Sequence, residues 1–301
     1  MTSRSDTPDN FYLGRNAVTG APVTLTPRAV AIAGRSGSGK SVLIQRFALQ
    51  YASSGGGFIV FDPNAGAAAA GKNYLRVMGL AGRERDLILI DFDDREIRGS
   101  TYSSGRCPPQ ALARELVQRV MSKTEVSFEE VLEHKKCAMV CLPSLYPPAF
   151  NQAVSRAIFD DLAGALRGLT RQGRRVERFS IGLDEPFFLW AETDAAEDLG
   201  KISEAAGAVG IGLVLTSHSS YRLGKSWPTR VVLGSVLDRD LGDVLDFLCP
   251  SADETFATSD IPAALRSLKP REALVVDAHR LTRVSLPNKD PAPGVADGAR
   301  G

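Results

Sequence analysis

The sequence predicts an α/β fold, a mostly parallel sheet covered by helices on both faces. Short apolar runs bounded by turn residues recur at 29–33, 58–61, 87–90, 179–183, 211–216, 231–233 and 273–276. They have the length and composition of strands buried on both sides. Between them, apolar residues fall at helical spacing over 41–53, 110–122, 148–169, 193–206 and 238–247. Strands alternating with helices give a parallel sheet, because each helix carries the chain back to the edge where the previous strand began. The 301 residues, 44% hydrophobic and 24% charged, supply a globular core and exclude a disordered chain or a fibre.

In chain order, residues 1–10 and 287–301 lack periodicity and read as flexible termini. Residues 11–286 read as a single folded unit, since neither a linker composition nor a fixed-period repeat interrupts them. AGAAAAG at 65–71 reads as a small-residue loop, and 99–178 as a helical insertion or side layer between core strands. Lys+Arg 36 against Asp+Glu 35 leaves a net charge of +1, so contact with nucleic acid or an anionic membrane must come from local clusters. The strongest is RGLTRQGRRVER, with Arg167, Arg171, Arg174, Arg175 and Arg178 against the acid Glu177. It reads as a phosphate contact without sequence information or as a solvated helix end. A second candidate is the 221–227 loop. No stretch approaches the roughly 18 consecutive apolar residues of a membrane span, so a cytoplasmic protein without a transmembrane segment is expected. Cys107, Cys137, Cys141 and Cys249 include no CxxC pair and suit neither a disulfide framework nor a four-ligand zinc site. Cys137 and Cys141 would share one helical face as buried hydrophobes, a metal pair being the alternative.

After the strand AVAIA comes GRSGSGKS, then the helical VLIQRFALQ. Strand, glycine-rich loop and helix is the order of a phosphate-binding loop. Glycines let the backbone N–H groups of Gly34, Arg35, Ser36, Gly37, Ser38 and Gly39 turn toward phosphate oxygens, at a helix N-terminus that favours an anion. Lys40 would reach the β and γ phosphates of ATP, Ser41 would offer its hydroxyl to Mg²⁺, and Val42 begins the helix proper. A reaction needs a second half, and FSIGLDE supplies it. An apolar strand ending in Asp184 and Glu185 places two carboxylates beside the loop, Asp184 toward Mg²⁺ and Glu185 as the base that polarises an attacking water. The strand GLVLTSH ends in Ser217 and His218, candidate sensors of the γ phosphate; a structural histidine is the alternative, as for His134 and His279.

These residues resemble the FtsK-HerA superfamily of ATP-driven DNA translocases. FYLGRNAVTGAPVTL at 11–25 is similar to the hairpin that precedes the loop in HerA-type members, and FIVFDP at 58–63 to the second strand of the family. The stretch from 206 to 240 parallels FtsK from the sensor strand through a Pro-Thr-Arg turn into a further strand. The sequence departs from the family at His218, where Gln is usual, and at Gly207, where Arg is common. The resemblance implies a RecA-like core that forms a homo-oligomeric ring, usually a hexamer, around double-stranded DNA and hydrolyses ATP between subunits. It also implies an arginine finger, Arg230 by match to the turn, with Arg222 and Arg239 as rivals. The function expected is a DNA motor for viral genome packaging or plasmid transfer, with a capsid vertex or membrane partner and a cytoplasmic or virion-associated location. The alternatives are an export ATPase of the zonula occludens toxin type and a slow nucleotide-gated binding module.

Overall fold

The computed structural model describes residues 10–25, 28–63, 67–92, 109–142, 148–186, 195–223, 227–249, 261–277 and 280–287. Expectations for the outer termini, Cys107, His279 and part of the 221–227 loop fall outside the described residues. The chain runs β1 Phe11–Asn16, β2 Pro22–Leu25, β3 Ala29–Gly34, α1 Lys40–Ser53, β4 Gly57–Asp62, α2 Ala67–Leu80, β5 Leu87–Asp91, α3 Pro109–Thr124 and α4 Phe128–Glu133. It continues through β6 Cys137–Cys141, α5 Pro148–Arg171, β7 Phe179–Leu183, α6 Ala195–Ala208, β8 Gly212–Ser217, β9 Thr229–Leu233, α7 Leu241–Leu248, α8 Ile261–Arg266, β10 Glu272–Asp277 and β11 Arg280–Ser285.

The strands form an 11-stranded sheet in the order β2-β1-β11-β10-β9-β3-β8-β7-β4-β6-β5. From β9 to β5 neighbouring strands are parallel. β10, β11, β1 and β2 extend the other side as an antiparallel meander. Period-two alternation divides the core. Val30, Ile32, Phe58 and Val60 pack on the face carrying α1 and α2, while Ala31, Ala33, Ile59 and Phe61 pack on the opposite face with α3, α5 and α6.

Three sequence readings need correction. Residues 67–71 of the expected small-residue loop lie in α2, because alanine favours helix and Tyr74, Val77 and Met78 give that helix a buried face. Cys137 and Cys141 stand on strand β6, not on a helix, both buried. Burial pushes the Cys137 thiol up to about 11, so it is protonated at neutral pH. The segment 99–178 is helical over most of its described length but is more than a side layer, since β6 within it pairs with both β4 and β5. Its apolar run CAMVC is that of a strand buried on both faces.

One glycine fixes the height of α1 over the sheet. A Cβ on Gly182 of β7 would stand 3.0 Å from Ile44 Cγ2 and 3.2 Å from Val60 Cγ2. Its absence lets α1 lie close on the strand that carries the acidic pair.

Candidate functional site

Parallel pairing brings the C-terminal ends of β3, β8, β7 and β4 to one edge. There β3 ends in Gly34 and the chain turns into α1, whose N-cap is Gly39 at φ 99. Gly37 has φ 77. Both glycines are required by left-handed backbone rather than by crowding, as nothing lies within 4 Å of a Cβ built on either. Gly34 is the crowded one, where a Cβ would meet Ser38 Oγ at 2.5 Å. Helix α1 has no side-chain cap and no acid in its first turn. Its leading N–H groups therefore favour an anion. Ser41 and Val42 are exposed on that turn.

Lys40, at 4% exposure, points back over the loop. Its Nζ donates to the carbonyls of Gly34 at 2.7 Å and Arg35 at 3.1 Å, and forms an ion pair with Glu185 Oε1 at 2.7 Å. His218 Nδ1 lies 3.6 Å from the other carboxylate oxygen, Oε2. The structure thus brings together Lys40, Glu185 and His218, drawn from three separate sequence segments.

Sequence reasoning missed Thr216. Its buried hydroxyl donates to Asp184 Oδ1 at 2.7 Å and accepts the Glu185 N–H at 3.0 Å. The Asp184 N–H donates to Phe61 O at 3.0 Å. Glu185 sits at φ 49, a conformation that costs a non-glycine residue about 1–2 kcal/mol unless neighbours hold it. Thr216 is the neighbour that does so. The only sequence signal was a polar residue late in an apolar strand. Thr216→Val is expected to lower ATP turnover about tenfold while ATP still binds, because a part-buried N–H and a carboxylate lose their partner. Thr216→Ser should restore the rate. Parallel measurements of turnover and nucleotide affinity check this, and unchanged turnover in the valine variant would remove Thr216 from the site.

Asp184 is 5% exposed. Burial, then the charges of Asp184 and Asp62, hold the nearby Tyr74 phenol well above its ordinary range. Among the described residues no group of three or more His, Cys, Asp or Glu could hold a metal ion. A buried carboxylate and a serine hydroxyl in the first turn of α1 instead suit Mg²⁺, which takes few protein oxygens and completes its shell with phosphate and water. The donor chemistry of Asp184 and Ser41 therefore fits that ion.

Two clefts flank the loop. The smaller, about 440 Å³, is lined by Gly34, Arg35, Ser36, Glu185, His218 and Arg239 among others. The larger, about 1080 Å³, takes Arg35, Arg46, Arg76 and Arg271 on its walls with no carboxylate among its lining residues. Val42, Leu268, Pro270, Leu286 and Pro287 add apolar surface there.

The remaining expected residues lie elsewhere. Arg230, the residue that the Pro-Thr-Arg turn offers as arginine finger, is buried within its own chain. It lies within β9 between β3 and β10, at 6% exposure, with Nη1 donating to Phe247 O at 3.3 Å in α7. A strand flanked on both sides sends alternate side chains into the helix layer. The side chain of Arg239 is 79% exposed at the mouth of the smaller cleft. Ser217 Oγ accepts the Ser219 N–H at 3.0 Å, and His134 caps α4. Arg174, Arg175 and Arg178 precede β7 and so stand at the edge opposite the loop.

No family model and no curated protein matches the sequence. Solved structures do. VirB4 of Thermoanaerobacter pseudethanolicus aligns over 97% of this chain and 100% of its own, with TM-score 0.61 and 14% identity. The bacterial conjugative coupling protein TrwBdeltaN70 aligns over 95% of this chain and 89% of its own, with TM-score 0.58 and 16% identity. The genome packaging NTPase B204 from Sulfolobus turreted icosahedral virus 2, in complex with AMP, covers 85% and 97% with TM-score 0.49 and 14% identity. Among the described residues no helix is long and apolar enough to cross a membrane. The chain has the RecA-like P-loop NTPase fold of VirB4 and TrwB, and its resemblance to FtsK-HerA-type ATPases holds at the level of that fold.

Proposed function

We propose that this chain is an Mg²⁺-dependent ATPase that moves double-stranded DNA as a ring-shaped homo-oligomer, a hexamer, in genome packaging at a capsid vertex or in plasmid transfer at a membrane partner. The observation that carries this reading is the meeting of Lys40 and Glu185 at 2.7 Å, which sets the glycine loop and the acidic pair around one space. A triphosphate laid on the loop would have its terminal phosphate in the smaller cleft and its base and ribose against the apolar wall of the larger one. Lys40 would then exchange the Gly34 and Arg35 carbonyls for phosphate oxygens, and Glu185, released from Lys40, would take a proton from the attacking water. Ser41 and Asp184 would hold Mg²⁺, which when bound neutralises charge on the phosphate oxygens. With Arg230 buried, Arg239 becomes the candidate for the added cation at the site. TrwB, whose fold this chain shares, is a conjugative coupling protein, which supports a DNA-handling role.

The test is the steady-state ATPase rate with and without linear duplex DNA. Stimulation of several-fold or more is expected. Rapid turnover indifferent to DNA would favour an export ATPase instead, and negligible turnover in both conditions a nucleotide-gated binding module.

A further inference from the structure

Because the strands from β9 to β5 are parallel, the loops that enter them share one edge, opposite the glycine loop. Those entering β3, β5, β6 and β7 are basic although they are far apart in sequence. Arg28 precedes β3, Arg85 precedes β5, Lys135 and Lys136 precede β6, and Arg175 and Arg178 precede β7. The loops entering β5, β6 and β7 meet at the turn Gly55, Gly56, Gly57. The Gly57 N–H donates to Arg178 O at 3.0 Å. Arg83 Nη1 donates to Gly56 O at 2.6 Å, and a Cβ on Gly57 would stand 2.5 Å from Lys135 O. These glycines let the basic loops pack backbone to backbone.

Two further observations mark this edge. Lys135 and Arg178 both hold positive φ, 51 and 57, a strained backbone for non-glycine residues. Of the four acids in these loops, Asp86 pairs with Arg83 at 2.7 Å and Glu133 with Arg174, leaving Glu84 and Glu177 against the more numerous Lys and Arg. Arg28, Arg85 and Arg175 are exposed and form no ion pair among the described residues. The chain as a whole is nearly neutral at +1, so this is a local concentration of charge. From β3 to β5 the edge spans five strand spacings, about 24 Å at ~4.8 Å each. That matches roughly seven phosphates of one DNA strand at ~3.4 Å each.

Resting on the motor reading above, we infer that the edge where the parallel strands begin is a docking surface for the phosphate backbone of duplex DNA. Among the described residues the exposed large hydrophobics, Val18, Val42, Leu75 and Leu89, lie in the β1–β2 turn, α1, α2 and the body of β5, so the described loops of this edge contribute no apolar anchor to insert into a lipid surface. Recognition there is electrostatic, indifferent to base sequence and dependent on salt. β7 joins this surface directly to the acidic pair, with Arg178 before its first residue and Asp184 after its last.

The test compares wild type with the triple variant Arg28→Gln, Arg85→Gln, Arg175→Gln, measuring anisotropy of a labelled duplex across a salt series, together with ATPase. The variant is expected to bind about tenfold or more weakly near 0.1 M salt. The slope of log affinity against log salt should shrink by roughly 2.7, at ~0.9 per phosphate contact. Basal ATPase should be unchanged, and DNA stimulation lost at subsaturating duplex. The control pair Arg119→Gln, Lys123→Gln on α3 should behave as wild type. If the triple variant keeps wild-type affinity and slope while DNA still stimulates wild type, the surface is wrong and the motor reading stands. If wild type neither binds duplex nor responds to it, both fall. Binding to phosphatidylserine vesicles that the triple variant loses, with duplex ignored, would make the partner a membrane and overturn the proposal.

Discussion

Glu185→Gln is expected to cut ATP turnover by roughly 10²–10⁴-fold, the range of a general base, while ATP binding tightens. Both halves follow from its contacts. The amide keeps the shape of the carboxylate and can still lie near His218, but it cannot accept a proton. It also gives up the ion pair with Lys40 at 2.7 Å, the interaction that phosphate must displace, and removes a negative charge from the cleft the terminal phosphate would enter. Phosphate release and titration with a fluorescent ATP analogue measure the two effects. Normal hydrolysis by this variant would end the assignment of Glu185 as base.

Lys40→Ala should act on the opposite half of the cycle, weakening nucleotide binding by about 10–100-fold and abolishing turnover with it. It should also loosen the resting protein, which distinguishes a loop-holding lysine from one that waits in solvent. The Gly34 and Arg35 carbonyls lose their donor, and Glu185 loses its partner. A loss of about 1–3 kcal/mol in stability without nucleotide is expected. Thermal unfolding with and without ATP reads both effects. A variant that melts like wild type and still binds ATP would show that the contacts of Lys40 carry neither.

The loop and the acidic pair were legible because each is a local obligation. GRSGSGKS between a strand and a helix, and an apolar run ending in Asp184 and Glu185, announce their chemistry without reference to distant residues. What was not legible depends on pairing. Thr216 reaches Asp184 because Leu183 lies opposite Leu215, so the next residue along each strand meets its counterpart. Arg230 was read as the end of a turn, yet it is buried because β10 returns antiparallel along β9. α2 was hidden by the alanine run at its start, although Tyr74, Val77 and Met78 carried a helical period. The basic edge is the same case at larger scale, since the RGLTRQGRRVER cluster was visible but its meeting with Arg28, Arg85 and Lys135 is a product of strand order.

Lys40 and Glu185 neutralise one another, and two backbone carbonyls complete the lysine's shell. A singly charged ion that displaced these contacts would gain about what it broke. Only a ligand able to occupy the helix N-terminus and the lysine together offsets the loss, so the pairing sets a threshold on anion valence. A monovalent ion such as chloride falls below it, and a triphosphate that spans both positions lies above.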